Sequence, residues 1–344
     1  MLAVSLGPYS RFAEWCDQIL LAEARFAFGS AEYHTAATAA QLITTLAASR
    51  AQCHVVACRV IEWDLLQALL AAGCPLLVPL DAAKSCVLQQ AHDFNTSIAE
   101  TARQVASILS ACSEVMEKPE ALILRSSAKP DALQIASEIN EHFRFGLGAE
   151  QIDEIARSLD PGRLDERHLI DLQNISPSEK RLLDGAVSPY DDVSRPGKLN
   201  WERGLFYLLE DGLAEPAARA IDLTGRPRML FYGPYIAIPA GSWNAEIFVG
   251  VSQDGLGTPI SIELYERGGG ELARARIVPD KAGVCRVDLA VKQSNSASPL
   301  ELRIRLESSA FDGKIAIGYV QLNSVAANGE MSPANWDFSE RDDA

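Results

Sequence analysis

Basic residues are scarce in this chain. Against 46 Asp and Glu stand only 31 Lys and Arg, a net charge of −15 over 344 residues. A phosphate backbone calls for a stripe of Lys and Arg, and none is present, so nucleic acid is not an expected partner. The same acidity disfavours an anionic membrane surface. Long apolar runs are missing too. The best of them, 65–80, is broken by Gln67, Gly73 and Pro75, so no membrane span is expected. Residues 1–8 carry neither a basic leader nor a long apolar core, which makes a cytoplasmic chain the expectation.

Seven cysteines occur without a CxxC pair or framework spacing, six of them in the first half: Cys16, Cys53, Cys58, Cys74, Cys86 and Cys112. That pattern reads as reduced, buried thiols, with no disulfide framework and no metal site expected. Histidine is limited to His34, His54, His92, His142 and His168. Neither a Gly-x-Ser-x-Gly elbow nor a His-Glu-x-x-His pair is found, so the sequence carries no complete catalytic motif.

What is present divides near Arg219. The first half alternates short apolar runs with helical periodicity. Residues 54–60 (HVVACRV), 75–80 (PLLVPL) and 121–125 (ALILR) read as strands, and 10–27, 35–48, 64–72, 82–90, 97–117, 130–143 and 149–158 read as helices. Strand, helix, strand in that order predicts a right-handed crossover and a doubly wound parallel α/β sheet over 1–160. Residues 161–218 read as a helical bridge with a capping box at Ser176-Pro-Ser-Glu179 and a connecting loop at 188–200. Residues 219–326 alternate as eight strands, at 219–223, 229–238, 243–251, 259–266, 271–278, 284–291, 299–307 and 314–323. Trp243, Ala245, Ile247, Val249 and Val251 share one face, as do Leu300, Leu302, Ile304 and Leu306, with Glu301, Arg303, Arg305 and Glu307 opposite. This predicts an antiparallel sandwich or jelly roll. An acidic tail, 327–344, follows, with Trp336 and Phe338 able to dock.

Two constellations could carry chemistry. The strand-to-helix turn at 75–90 offers helix N–H groups to an anion, with Asp81 as cap and Lys84 in the first turn. His34 and His92 are the candidate general bases. The second constellation is the aromatic start of the sandwich, 229–243 (MLFYGPYIAIPAGSW). Tyr232, Tyr235, Trp243 and Tyr265 supply rings on which sugar faces pack, and Arg303, Arg305, Asp254 and Asn244 supply polar groups for hydroxyls.

The order of 1–160 resembles the PAPS-dependent sulfotransferase family of P-loop-like enzymes. The stretches that carry the likeness are 77–89 (LVPLDAAKSCVLQ), Ala121-Leu-Ile-Leu-Arg125, Lys129-Pro-Asp131 and Gly148-Ala-Glu-Gln-Ile152. The resemblance implies an anion site built from Ser10, Arg11, Asp81, Lys84 and Arg125, and PAPS as cofactor if the chain is active. It also marks departures: the family's turn arginine falls on Leu80, its phosphate-binding serine falls near Gln89, and the N-terminal cradle at Leu6-Gly-Pro-Tyr-Ser-Arg11 has no lysine. Without that cation the charge developing on a transferring sulfonate loses several kcal/mol of stabilisation. The expectation is a pseudoenzyme that needs no cofactor. The segment 229–243 resembles sandwich modules appended to bacterial polysaccharide-handling proteins, which implies a glycan or polysaccharide partner and an accessory role. Rival readings are an active glycan transferase and an assembly protein, homo-oligomeric through the sandwich.

Overall fold

The computed structural model describes residues 1–127, 130–159, 175–192, 195–210, 213–217 and 219–325. Lys129, the stretch 160–174 of the bridge, and the tail with Trp336 and Phe338 lie outside them.

The first half is a five-stranded parallel sheet. Its strands are β1 (Leu2–Leu6), β2 (Ala31–Thr35), β3 (Cys53–Cys58), β4 (Leu76–Leu80) and β5 (Ala121–Arg125), in the order β2-β3-β1-β4-β5. Five helices connect them: α1 (Arg11–Phe28), α2 (Ala39–Ala48), α3 (Trp63–Ala71), and α4 (Ala83–Phe94) with α5 (Ile98–Val115). Two more, α6 (Ala132–Phe143) and α7 (Ala149–Ser158), follow β5. The doubly wound fold is therefore present, with two strands more than the sequence pattern gave. β1 and β2 are only five residues long, and β2 (AEYHT) is an edge strand with polar, exposed positions and so lacks an apolar signature.

Local chemistry sets the helix ends. Ser10 caps α1 by accepting from the Ala13 N–H at 3.0 Å, and Gly29 closes it at φ 71°. The strand order makes the loop after β1 run to a helix on one face while those after β3 and β4 run to the other. This opens a crevice at the C-terminal end of β1.

Helix α8 (Pro177–Ala186) has the predicted capping box, Ser176 accepting from the Glu179 N–H at 3.2 Å. A short α9 (Pro189–Asp192) follows. Among the described residues, the part of the predicted bridge beyond Gly197 is strand, apart from a single 3-10 turn at Arg203–Leu205. Residues 198–216 form β6 (Lys198–Glu202), β7 (Tyr207–Glu210) and β8 (Leu213–Pro216), which belong to the sandwich. Trp201 of β6 is wholly buried there, which fixes the strand despite the flanking polar residues.

The remaining strands are β9 (Ile221–Asp222), β10 (Arg228–Ile236), β11 (Gly241–Val251), β12 (Ile260–Glu266), β13 (Gly270–Ile277), β14 (Gly283–Gln293), β15 (Leu300–Leu306) and β16 (Lys314–Ser324). They build a six-stranded sheet, β13-β12-β15-β10-β7-β8, and a second sheet, β14-β11-β16-β6, with β9 pairing β16. Both apolar faces read from the sequence are buried between the sheets. Helix α5 is buried along most of its length because it packs on the parallel sheet and on the sandwich at once. Ser110 donates to the Ser296 carbonyl at 2.8 Å, and the Ala237 N–H donates to Ser107 at 3.1 Å. One apolar core runs continuously from Val4 through α5 to Leu322.

Candidate functional site

The crevice at the end of β1 is lined with cations that already have partners. Arg59, just after β3, donates to the Gly7 carbonyl and to Ser5 Oγ, each at 3.4 Å, and pairs with the buried Asp17. Burial is the largest single influence and pulls its pKa down, but the Asp17 charge and hydrogen bond, together with Tyr33 and Cys58, hold it up. Tyr33 also donates to Asp17, at 2.9 Å. Arg11 pairs with Asp93 at 3.3 Å, and Tyr9 donates to the same carboxylate at 3.2 Å. Lys84 pairs with Asp184 of α8, and Arg125 donates to the Asp191 carbonyl at 3.0 Å.

The helix N-termini are similarly occupied. The Arg11 N–H of α1 donates to Gln89 Oε1 at 3.1 Å, so Gln89 takes a donor an anion would use. Ser10 is wholly buried and engaged as the cap of α1. The Asp81 carboxylate accepts from the Ala82 N–H at 2.8 Å and does not cap α4. Asp191 of α9 supplies that carboxylate instead, accepting from the Ala83 N–H at 2.6 Å. Gly7 is required where β1 passes β4, since a Cβ there would sit 2.8 Å from the Pro79 carbonyl oxygen. Beside the crevice a cleft of about 610 Å³ is lined by Thr35, Ala36, Gln41, Thr44 and Arg59. The candidate bases are not brought together. His34 lies on β2 against His54, and exposed His92 lies at the far end of α4, 3.1 Å from Asp93.

The outer face of the six-stranded sheet is organised differently. Register aligns Tyr207 of β7 with Tyr232 of β10, Tyr232 with Arg303 of β15, Arg303 with Glu263 of β12, and Glu263 with Arg274 of β13. These five residues form one row across five strands, about 19 Å long at ~4.8 Å per strand. A second row aligns Glu301, Tyr265 and Glu271. Tyr235 joins it through a bulge: the β10–β15 register shifts between Pro234 and Ile236, and Tyr235 sits at φ 63°. A left-handed aromatic residue is uncommon and costs about 1–3 kcal/mol. The bulge re-aims its ring outward, where its hydroxyl donates to Glu301 at 3.1 Å.

The rings and charges interlock. Tyr207 and Tyr232 stack at 5.5 Å, and Tyr235 meets Tyr232 edge-on at 6.2 Å. Arg103 of α5 lies 4.5 Å over Tyr207, and Arg303 lies 4.1 Å over Tyr265 while holding Glu301 at 2.6 Å. Partial burial, followed by the Glu301 charge, raises the Tyr235 pKa, and the Glu301 hydrogen bond raises that of Arg303. Arg305 is exposed on the same face, opposite Ser261. Sequence reasoning had missed Tyr207, assigned to the helical bridge, and Arg103, contributed by the other half of the chain.

Three predicted residues do not belong to this face. Trp243 is 2% exposed, and its indole N–H donates to the Pro239 carbonyl at 2.9 Å; it is core, not platform. Asn244 is on β11 of the other sheet, and Asp254 lies in the turn after that strand.

No family model and no curated protein matches the chain. Among solved structures, it is similar to a mouse sulfotransferase in complex with PAP, with 10% identity, 54% of this chain and 80% of that chain covered, and a TM-score of 0.39. It is similar to the carbohydrate-binding module of Cellvibrio mixtus lichenase 5A in complex with cellotriose, with 16% identity, 38% and 88% covered, and a TM-score of 0.20. A xylan-binding module gives 13% identity, 34% and 81% covered, and a TM-score of 0.23. These likenesses are too distant to assign a family. Among the described residues no helix is long and apolar enough to cross a membrane.

Proposed function

We propose that the chain recognises a neutral glycan through the tyrosine and arginine rows of its six-stranded sheet, and that its α/β half is a non-catalytic scaffold. The observation that carries this reading is the cross-strand row Tyr207, Tyr232, Arg303, Glu263 and Arg274. It lines up ring carbon and guanidinium N–H donors over a length suited to an extended oligosaccharide, with Glu263, only 3% exposed, buried in the row as the partner of Arg274. Arg274 reaches Glu263 at 3.1 Å and Glu271 at 2.8 Å, and Arg276 reaches Glu307 at 2.6 Å. Paired charges of this kind suit hydroxyls better than an ionic ligand, because each still has donor or acceptor capacity but little net field. The backbone strain at Tyr235, held in place by its Glu301 bond, fits a residue positioned for contact.

The scaffold reading of the first half rests on the crevice. The Gln89 amide and the Asp191 carboxylate stand where a donor phosphate would need N–H groups, and Arg59 and Lys84 are neutralised by Asp17 and Asp184.

The test is a glycan array followed by calorimetry on the best ligand. Tyr232→Ala is expected to weaken binding about tenfold or more, the ~1–2 kcal/mol scale of a central aromatic contact, with Arg303→Ala similar. Failure of every glycan to be retained, or equal binding by the variants, overturns the proposal. Adenosine 3′,5′-bisphosphate at millimolar concentration is expected to leave the melting temperature unchanged; a clear rise favours the transferase reading instead.

A further inference from the structure

Glu32 and His34 lie on β2, the edge strand of the parallel sheet, and His54 lies on its neighbour β3. Parallel register sets His54 opposite Glu32. Residues two apart on a strand share a face, so His34 projects on the same side as Glu32. The three side chains converge. His34 Nε2 is 3.4 Å from His54 Nδ1 and 3.6 Å from Glu32 Oε2, and one donor atom from each residue lies within 4.8 Å of the others.

Two explanations compete for the imidazole pair. A shared N–H···N hydrogen bond is one, but 3.4 Å is long against the ~2.9–3.0 Å usual for nitrogen donors. The other is a common ion. Tetrahedral zinc with Zn–N of about 2.0–2.1 Å puts adjacent ligand atoms about 3.3–3.4 Å apart, because a tetrahedron's edge is about 1.63 times its centre-to-corner distance. The His–His spacing meets that value, and the Glu–His spacing is within a few tenths of an ångström. Ser49, just past α2, donates to Glu32 Oε2 at 2.7 Å and fixes the carboxylate. Glu32 is exposed and both histidines are half-buried, so an ion can enter and a fourth position faces water.

We infer that Glu32, His34 and His54 form a divalent transition-metal site, suited to zinc, at the edge of the parallel sheet. Imidazole and carboxylate together select this class of ion over calcium or magnesium, which favour oxygen cages. Neither the crevice nor the tyrosine face shares these residues, so the inference stands or falls apart from the glycan reading. No cysteine takes part: Cys53 is buried in the core cluster that contains α1, and Val56, on the His54 side of β3, faces the cluster with α3 to α5.

The test uses the full chain, stripped with a chelator and dialysed. Titration with zinc is expected to bind one equivalent and raise the melting temperature by a few degrees, as any ligand of the native state does. His34→Ala and His54→Gln should each abolish that equivalent while keeping the wild-type circular dichroism. Ser49→Ala should weaken it about 10–100-fold, the usual cost of losing a ligand's orienting partner. Cobalt should give a visible ligand-field spectrum with no thiolate charge-transfer band. No bound metal in wild type, unchanged stoichiometry in both histidine variants, or a thiolate band that moves the ion to cysteine overturns the proposal.

Discussion

The Asp191 carboxylate accepts the Ala83 N–H at 2.6 Å, so a residue 108 positions away caps the helix that follows β4. An acceptor at a helix N-terminus satisfies an otherwise orphan donor and meets the positive end of the helix dipole. Asp191→Ala is therefore expected to cost about 0.5–2 kcal/mol in urea unfolding. Asp191→Asn keeps an acceptor and should cost less. Sulfate should raise the melting temperature of Asp191→Ala more than that of wild type, because an anion can take the vacated place.

Trp243 fills the sandwich interior. Trp243→Ala should destabilise by about 3–5 kcal/mol, through lost burial and the cavity left behind. Equal stability in the variant, followed by denaturant, would return Trp243 to the surface.

Glu23 of α1 is 0% exposed, and neither carboxylate oxygen has a hydrogen-bond partner among the described residues. Burial raises its pKa to about 9. The unfolded value is near 4.3, so between roughly 4.3 and 9 the native state holds a proton that the unfolded state has lost. Stability from this group is complete below the unfolded pKa and falls as pH rises toward 9. Glu23→Gln should flatten that fall and leave the chain more stable than wild type at about pH 8. Unfolding curves at several pH values check it; parallel curves for the two proteins would refute it.

Arg103 joins the halves. The residue is 9% exposed, its guanidinium donates to the Leu205 carbonyl at 2.8 Å and covers Tyr207, and burial lowers its pKa. Arg103→Ala should cost about 2–4 kcal/mol by stranding a buried carbonyl and removing the ring contact. Arg103→Lys should rescue little, since an ammonium cannot reproduce the planar stack. Calorimetry of wild type should show a single transition, because one core runs through α5. Two separated transitions would contradict that coupling.

Local pattern carried much of the architecture. Alternation marked β10 to β16, and it placed Glu301, Arg303 and Arg305 opposite the buried leucines and Ile304, which is where they lie. Helical periodicity located α4 to α7 within a few residues, and the capping box placed the start of α8. The hairpin of β7 and β8 had a signal of its own, Asp211-Gly212 between two short apolar runs, but the prolines and charges just upstream drew the whole stretch into a bridge.

By itself the sequence determined periodicity: which positions face inward and where helices begin. Those properties depend on neighbours within one turn or one strand. Only the tertiary structure decided that Trp243 is core and Tyr207 is not, that Asp191 and Gln89 occupy the helix ends where an anion was expected, and that His34 meets His54. Each depends on the register and packing of segments distant along the chain, which spacing within a single segment does not encode.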